Sequence, residues 1–362
     1  MIHRTKMTTP LVSPAAPTVA SAHYSVRRLD MAELPQANDL YNRCHRASRP
    51  LVEAEWLYRR NPYGEGIILG AFDQDGRLVG MRPAIARRFF WDGKEKQAYQ
   101  FTDAVVAPEH RNRGIFGRLV DSICVLGEKE DFALFSFPNE HSLSVYRRTP
   151  SLAEAGVCEV QVRILSWLPY LRWRLDGHGA VRQPQPAISR APLEARGLGL
   201  VPIDRFDSDF DGIHAALASR VASFTLRRRE FLNWRYFGSP TRTYHVALVE
   251  RWGQPQGYVA FRLVDRIAHV VDLFLSPDPR LAERTLALVT RWARQSGAIA
   301  VYFKASQGHP FRRALRGVGS LAWLTREAIV LDRASVDHLA SSRGRRIGIE
   351  DFYFTMGDGD FF

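Results

Sequence analysis

Cysteine is scarce in this chain: Cys44, Cys124 and Cys158 are the only three in 362 residues. An odd, sparse set with neither metal-type nor redox-type spacing argues against a disulfide framework and fits a reducing compartment, so a cytoplasmic location is expected. His110, His141, His245, His269 and His309 show neither H-x-x-x-H nor H-E-x-x-H spacing, and no metal centre is expected. No apolar run approaches the ~20 residues that cross a bilayer, and the first 23 residues lack the apolar block of a secretory signal. G-x-S-x-G is missing, which removes that form of serine chemistry. Acidic residues are in deficit, 38 against 50 Lys and Arg, for a net charge of +12. Such a surplus suits an anionic ligand, a nucleic acid or an anionic membrane and does not choose among them. No reading helix or aromatic RNA motif accompanies the charge, so nucleic acid is not an expected partner.

What is present is a repeat. The length allows two domains of ordinary size, and 46% hydrophobic with 24% charged residues is the balance of a globular protein. W-x-Y-x-x-x-P occurs twice, at Trp56, Tyr58 and Pro62 and at Trp234, Tyr236 and Pro240. Each copy continues with an apolar strand, a turn at Gly76 or Gly253, and a second strand through Gly80 or Gly257, which reads as a hairpin. Asp-x-x-x-x-Pro and an acid follow in both: Asp103, Pro108 and Glu109, then Asp272, Pro277 and Asp278. Helical spacing then runs from Gly114 to about Lys129 and from about Leu281 to Gln295, before the apolar strands FALFSF and AIAVYF. Short helices are expected in SLSVYRR and PFRRALR. A strand–helix–strand crossover implies parallel pairing and the hairpins imply antiparallel pairing. The expected organisation is a tail over 1–23, a first domain over 24–176, a Pro/Gly/Ala/Arg-rich linker over 177–199 and a second domain over 200–362. The fold class is α/β (α+β), each domain a mixed, mostly antiparallel sheet flanked by helices.

The stretch VVAPEHRNRGIFGRLV, Val105 to Val120, carries the chemistry. A short strand ends at Pro108; Arg111, Arg113 and Arg118 then surround Gly114 and Gly117, and a helix begins. Helix N-termini present unpaired N–H groups and partial positive charge, glycine lets a ligand approach the backbone, and arginine adds bidentate phosphate contacts. The combination reads as a pyrophosphate cradle. No Lys-Ser or Lys-Thr follows the glycines, which excludes the nucleotide P-loop, and the spacing is not that of a dinucleotide fold.

V-x-P-E-x-R-x-R-G-I-x-G-R-L closely resembles the acyl-CoA-binding motif of the GNAT acyltransferase superfamily, and the repeat resembles tandem GNAT proteins over most of residues 24–356. The family pattern [Q/R]-x-x-G-x-[G/A] falls on Arg111, Gly114 and Phe116, with Phe116 where a small residue is usual. The resemblance implies CoA contacts across Arg111, Asn112, Arg113, Gly114, Ile115, Phe116 and Gly117. It also implies a bulged fourth strand whose exposed main chain at Val105 and Val106 meets the pantetheine arm, with Asn139 beside it. Tyr146, seven residues on, would be the general acid for the CoA thiolate; Asp103 is a weak candidate base, and its match at Asp272 in the copy without a cradle argues for a structural role. The implied activity is N-acyl transfer, with acetyl-CoA as cosubstrate, no metal, and a small-molecule, sugar or peptide amine as acceptor. A non-catalytic CoA- or partner-binding module is the alternative, since the usual Gly-Phe after the tyrosine is replaced by RRTPSLAEAG.

The second copy has no glycine between Pro277 and Gly297 and is expected to bind no CoA, but to shape the acceptor site or mate sheet to sheet with the first. The paired Trp and Tyr residues, present in both copies, read as packing rather than as an acceptor pocket. ILSWLPYLRWRLDG, interrupted by Pro169, reads as a strand end entering the linker.

Overall fold

The computed structural model describes residues 24–91, 93–175, 191–207, 223–276, 278–306, 309, 311, 313–314, 321–344 and 352–359. The first copy runs β1 (Ser25–Arg28), α1 (Leu34–His45), α2 (Leu51–Tyr58), β2 (Ile67–Phe72), β3 (Leu78–Trp91), β4 (Lys94–Phe101), β5 (Val105–Val106), α3 (Ile115–Glu130), β6 (Ala133–Ser136), α4 (Glu140–Tyr146), β7 (Leu152–Ile164) and α5 (Trp167–Leu175). The second runs β8 (Leu193–Ala195), β9 (Leu198–Ile203), β10 (Ser223–Thr225), α6 (Arg229–Tyr236), β11 (His245–Arg251), β12 (Gln254–Val264), β13 (Ile267–Leu275), α7 (Pro279–Gln295), β14 (Ala300–Ser306), β15 (Leu321–Asp332), α8 (Arg333–Arg343) and β16 (Phe352–Tyr353).

One sheet path, β1-β2-β3-β4-β6-β15-β7-β14-β13-β12-β11-β9-β8, passes through both copies. The β4–β6 and β13–β14 pairs are parallel, as helical crossovers through α3 and α7 require. The hairpins β2–β3 and β11–β12 are antiparallel. The copies do not mate face to face. They exchange strands: β7 of the first pairs with β14 of the second, β15 of the second pairs with β6 of the first, and β7 and β15 pair with each other.

Strand alternation decides which face each residue serves. On β3, Met81 and Ile85 join the large core shared with α1, α2 and the second copy, whereas Ala84 joins the core under α3 with Leu119, Val120 and Ile123. At the junction, Trp56 and Trp234 stack at 4.6 Å, and each indole N–H donates to the other's main-chain oxygen at 3.1 Å. The repeated tryptophans therefore pack the two copies together.

Two expectations change here. Trp167–Leu175 is a helix, not a strand end: Pro169 lies in its first turn, where a missing N–H costs nothing, and Tyr170 docks into a core with Ile267 and Ile299. Within the expected linker, residues 193–195 and 198–199 belong to the edge hairpin β8–β9. The tail over 1–23, residues 177–190 of the linker, Pro277, and Pro310, Arg312, Leu315 and Arg316 of PFRRALR lie outside the described residues. No helix among the described residues is long and apolar enough to cross a membrane.

Candidate active site

The site begins with a mismatch between two strands. Ala84 of β3 faces Phe101 and Met81 faces Val105, so three steps along β3 match four along the partner strand. The extra residue is a bulge, with Asp103 at φ +47°. Pairing of β4 with β6 ends at Gln100 and Phe135, while β5 stays on β3, so the two parallel strands part beyond that point. The Ala107 N–H donates to the Val79 oxygen at 2.8 Å. Strand alternation therefore turns the main-chain groups of Val106 away from β3. The Val106 oxygen accepts from Arg111 Nε at 3.1 Å, and by the same alternation its N–H also points away from β3. The bulge is present; of the two expected strand residues, Val106 turns its main chain away from β3, whereas the same alternation points that of Val105 at Met81.

The turn behind β5 is open. Arg111, Asn112, Arg113, Gly114 and Arg118 are exposed, Phe116 and Gly117 are half-buried, and Ile115 anchors the helix in the core. Gly114 is the N-cap of α3 at φ +75°, a conformation that costs an L-residue about 1–2 kcal/mol. A Cβ placed on Gly114 or on Gly117 would meet nothing within 4 Å. No side-chain hydrogen bond from the N-cap residue closes α3, and its first-turn N–H groups have no partner within the helix. Tyr24 steadies the turn: Arg113 Nη1 donates to its hydroxyl at 3.1 Å, and the hydroxyl lies 3.0 Å from His110 Nδ1.

The second copy keeps the bulge, between Ala260 and Phe261 opposite Asp272, but closes the helix start and the gap. Its matching helix, α7, starts with Pro279 and is capped by its own carboxylate, Asp278 accepting from the Arg280 N–H at 2.9 Å. The gap between β13 and β14, whose pairing ends at Val270 and Phe303, is filled by the C-terminal segment. Ser306 donates to the oxygens of Phe354 and Phe352 at 3.3 and 3.0 Å, and the Tyr353 hydroxyl donates to the Leu273 oxygen. Thr355 Oγ1 reaches Asp272 at 2.9 Å.

Asp103 and Asp272 hold the same partners. Arg49 and Tyr58 bond the Asp103 carboxylate; Arg227 and Tyr236 bond Asp272, with Tyr258 added. Burial alone would raise the Asp272 pKa, but Arg227 and the tyrosine hydroxyls hold it below the usual carboxylate value. Arg49 and Arg227 each stand seven residues before the repeated tryptophan, so their match is legible in the sequence once the repeat is aligned.

Asn139 is the N-cap of α4: its Oδ1 accepts from the Ser142 N–H at 2.9 Å, which commits its carbonyl end to the helix. Tyr146, at the other end of α4, is 2% exposed. Its hydroxyl accepts from Nη2 of Arg82, a buried residue of β3 that sequence reasoning passed over. The signal was an arginine inside the apolar run LVGMRPAIA. Cys124 on α3 is a core thiol that burial pushes up to about 12. A cavity of about 490 Å³ lies on the second copy beside Arg242 and Tyr244, another of about 670 Å³ lies along α7 at Arg291 and Arg294 with Arg163 of β7, and neither reaches the turn. A cradle of main-chain N–H groups needs no deep cavity.

Residues 25–148 match the model of the acetyltransferase (GNAT) domain. Among solved structures, the chain is similar to a GCN5-related N-acetyltransferase from Anabaena variabilis, at 14% identity and a TM-score of 0.58, over 85% of this chain and 72% of that one. It is similar to Eis1 from Mycobacterium abscessus, at 20% identity and 0.56, over 89% and 76%. It is also similar to the N-myristoyltransferase of Saccharomyces cerevisiae, solved with bound myristoyl-CoA, at 14% and 0.55, over 89% and 85%. At these identities the likeness is one of fold. No curated protein matches the sequence.

Proposed function

With residues 25–148 forming a GNAT domain, we propose that the chain is an acyl-CoA-dependent N-acyltransferase that uses acetyl-CoA and a primary amine. The reading is carried by one contrast. α3 begins uncapped at Gly114 with open space above it, whereas α7 is sealed by Asp278. An open helix start flanked by Arg111, Arg113 and Arg118 is suited to a diphosphate; a sealed one is not.

In this reading the N–H groups of Ile115, Phe116 and Gly117 hold the diphosphate, and the pantetheine arm lies where β5 leaves β6. The Val106 N–H donates to the thioester carbonyl and stabilises the oxyanion as it forms. The amine nitrogen attacks that carbonyl directly, the C–S bond breaks, and Tyr146 gives its proton to the departing thiolate. Water takes the amine proton. Asp103 is assigned to holding Arg49 and Tyr58 around the bulge, because Asp272 holds the same pair in the copy without an open helix start. The fixed donors of the first copy serve one acyl donor per chain.

The test is release of CoA thiol from acetyl-CoA across a panel of small-molecule, aminosugar and peptide amines. The expected result is turnover with at least one amine and a loss of about 10²–10⁴-fold in Tyr146→Phe, the usual contribution of a positioned acid. Acetyl-CoA binding without turnover on any amine would favour the binding-module reading instead.

A further inference from the structure

A buried arginine on a central strand is expensive unless something uses its charge. Arg82 is 2% exposed, and its guanidinium lies 3.9 Å from the Phe101 ring, 5.7 Å from Phe116 and 5.4 Å from Tyr146. Its Nη2 donates to the Tyr146 hydroxyl. Its neighbours on β3 frame the bulge: Met81 pairs with Val105, and the Pro83 oxygen accepts from the Thr102 N–H at 3.2 Å.

The repeat supplies an internal control. Gly80 faces Val106 as Gly257 faces Leu275, so two residues on Arg82 corresponds to Val259. Val259 is wholly buried and apolar. The same strand position in the same fold thus takes valine in the copy whose helix start is sealed and arginine in the copy whose helix start is open. The fold alone does not call for the charge.

We propose that Arg82 is a positioning residue that aims the Tyr146 hydroxyl and stabilises the phenolate left when Tyr146 gives up its proton. This rests on the acyltransferase reading above. The balance of the step is simple. The O–H bond of Tyr146 breaks, its proton joins the CoA sulfur, and the negative charge left on the phenol oxygen faces a guanidinium N–H already in place. The Arg82 charge is also felt at the Cys124 thiol, whose burial keeps it neutral. Phe101 and Phe116 supply aromatic faces that hold the guanidinium plane without neutralising it.

The experiment follows the ionisation of Tyr146 by NMR of protein labelled at the tyrosine ring Cζ, the Tyr146 signal being identified by its loss in Tyr146→Phe. No acceptor amine is needed. Removing the cation in Arg82→Met, or in the more polar Arg82→Gln if the first does not fold, is expected to move the Tyr146 midpoint to higher pH by about one unit or more. Arg82→Lys is expected to recover part of the shift. Acetyl-CoA affinity, measured by calorimetry on the same variants, is expected to change less than threefold, because the cradle N–H groups are untouched. A Tyr146 midpoint that does not move in either neutral variant overturns the inference while leaving the acyltransferase reading intact. Failure of the unmodified protein to bind acetyl-CoA overturns the parent reading, whatever Tyr146 does.

Discussion

Replacing Gly117 by alanine separates stability from binding. Gly117 is the third residue of α3, its φ is not positive, and an added Cβ would touch no protein atom within 4 Å. In a helix, alanine in place of glycine gains about 0.5–1 kcal/mol through lower backbone entropy in the unfolded chain. For a chain of 362 residues, that is a rise of about 1 °C in Tm, better resolved as a higher urea midpoint. The same methyl group would stand in the space the diphosphate is proposed to enter. Displacing the anion from one charge-assisted N–H contact costs about 1.5–3 kcal/mol, which is about tenfold to a hundredfold in Kd. The variant should therefore be slightly more stable and bind acetyl-CoA much more weakly. Gly114→Ala should lose on both counts, since its left-handed backbone adds a cost of about 1–2 kcal/mol. Urea denaturation and calorimetry on the two variants decide the matter. A Gly117→Ala protein that gains stability and binds acetyl-CoA with unchanged Kd refutes the cradle.

Two further predictions concern the contact between the copies and the core of the second copy. Trp56→Phe removes an indole donor and leaves the buried Trp234 oxygen without it, so a loss of about 1–3 kcal/mol is expected in chemical denaturation; no measurable change would contradict the reciprocal Trp56–Trp234 contact. His309 is buried among Phe311, Tyr353 and Phe303 and accepts the Phe311 N–H at Nδ1, and burial pushes its pKa down to about 3. The unfolded chain then binds the extra proton first, so its stabilising effect is complete above about pH 6.5 and is lost at about 1.4 kcal/mol per unit as pH falls from 6.5 towards about 3. Urea midpoints at pH 7.5, 6.0 and 5.0 should fall accordingly and flatten in His309→Phe; an equal slope in that variant would remove His309 as the cause.

Much of this arrangement was legible because the signals are local. The W-x-Y-x-x-x-P repeat, the hairpin turns at Gly76 and Gly253 and the basic Gly114 turn all lie within short windows, where periodicity and turn chemistry act directly. The strand exchange was not legible, because β7 and β15 are both long and partly apolar, and their partners are chosen by the closure of the whole sheet. The α5 helix was misread for a related reason. Its outward residues, Trp167, Leu168, Leu171 and Leu175, are exposed apolar side chains, so the segment carries no clean amphipathic stripe. Arg82 illustrates a third case: the residue is visible, but its meaning depends on Tyr146, 64 positions away in the chain, and on the contrast with Val259.

The most direct test of the account is a calorimetric titration of acetyl-CoA into the full chain at low and moderate salt. One site per chain is predicted, with an affinity that weakens as salt rises, because the open α3 start and its arginines grip a diphosphate while Asp278 seals α7. No heat at millimolar acetyl-CoA, or two equivalent sites per chain, would contradict it.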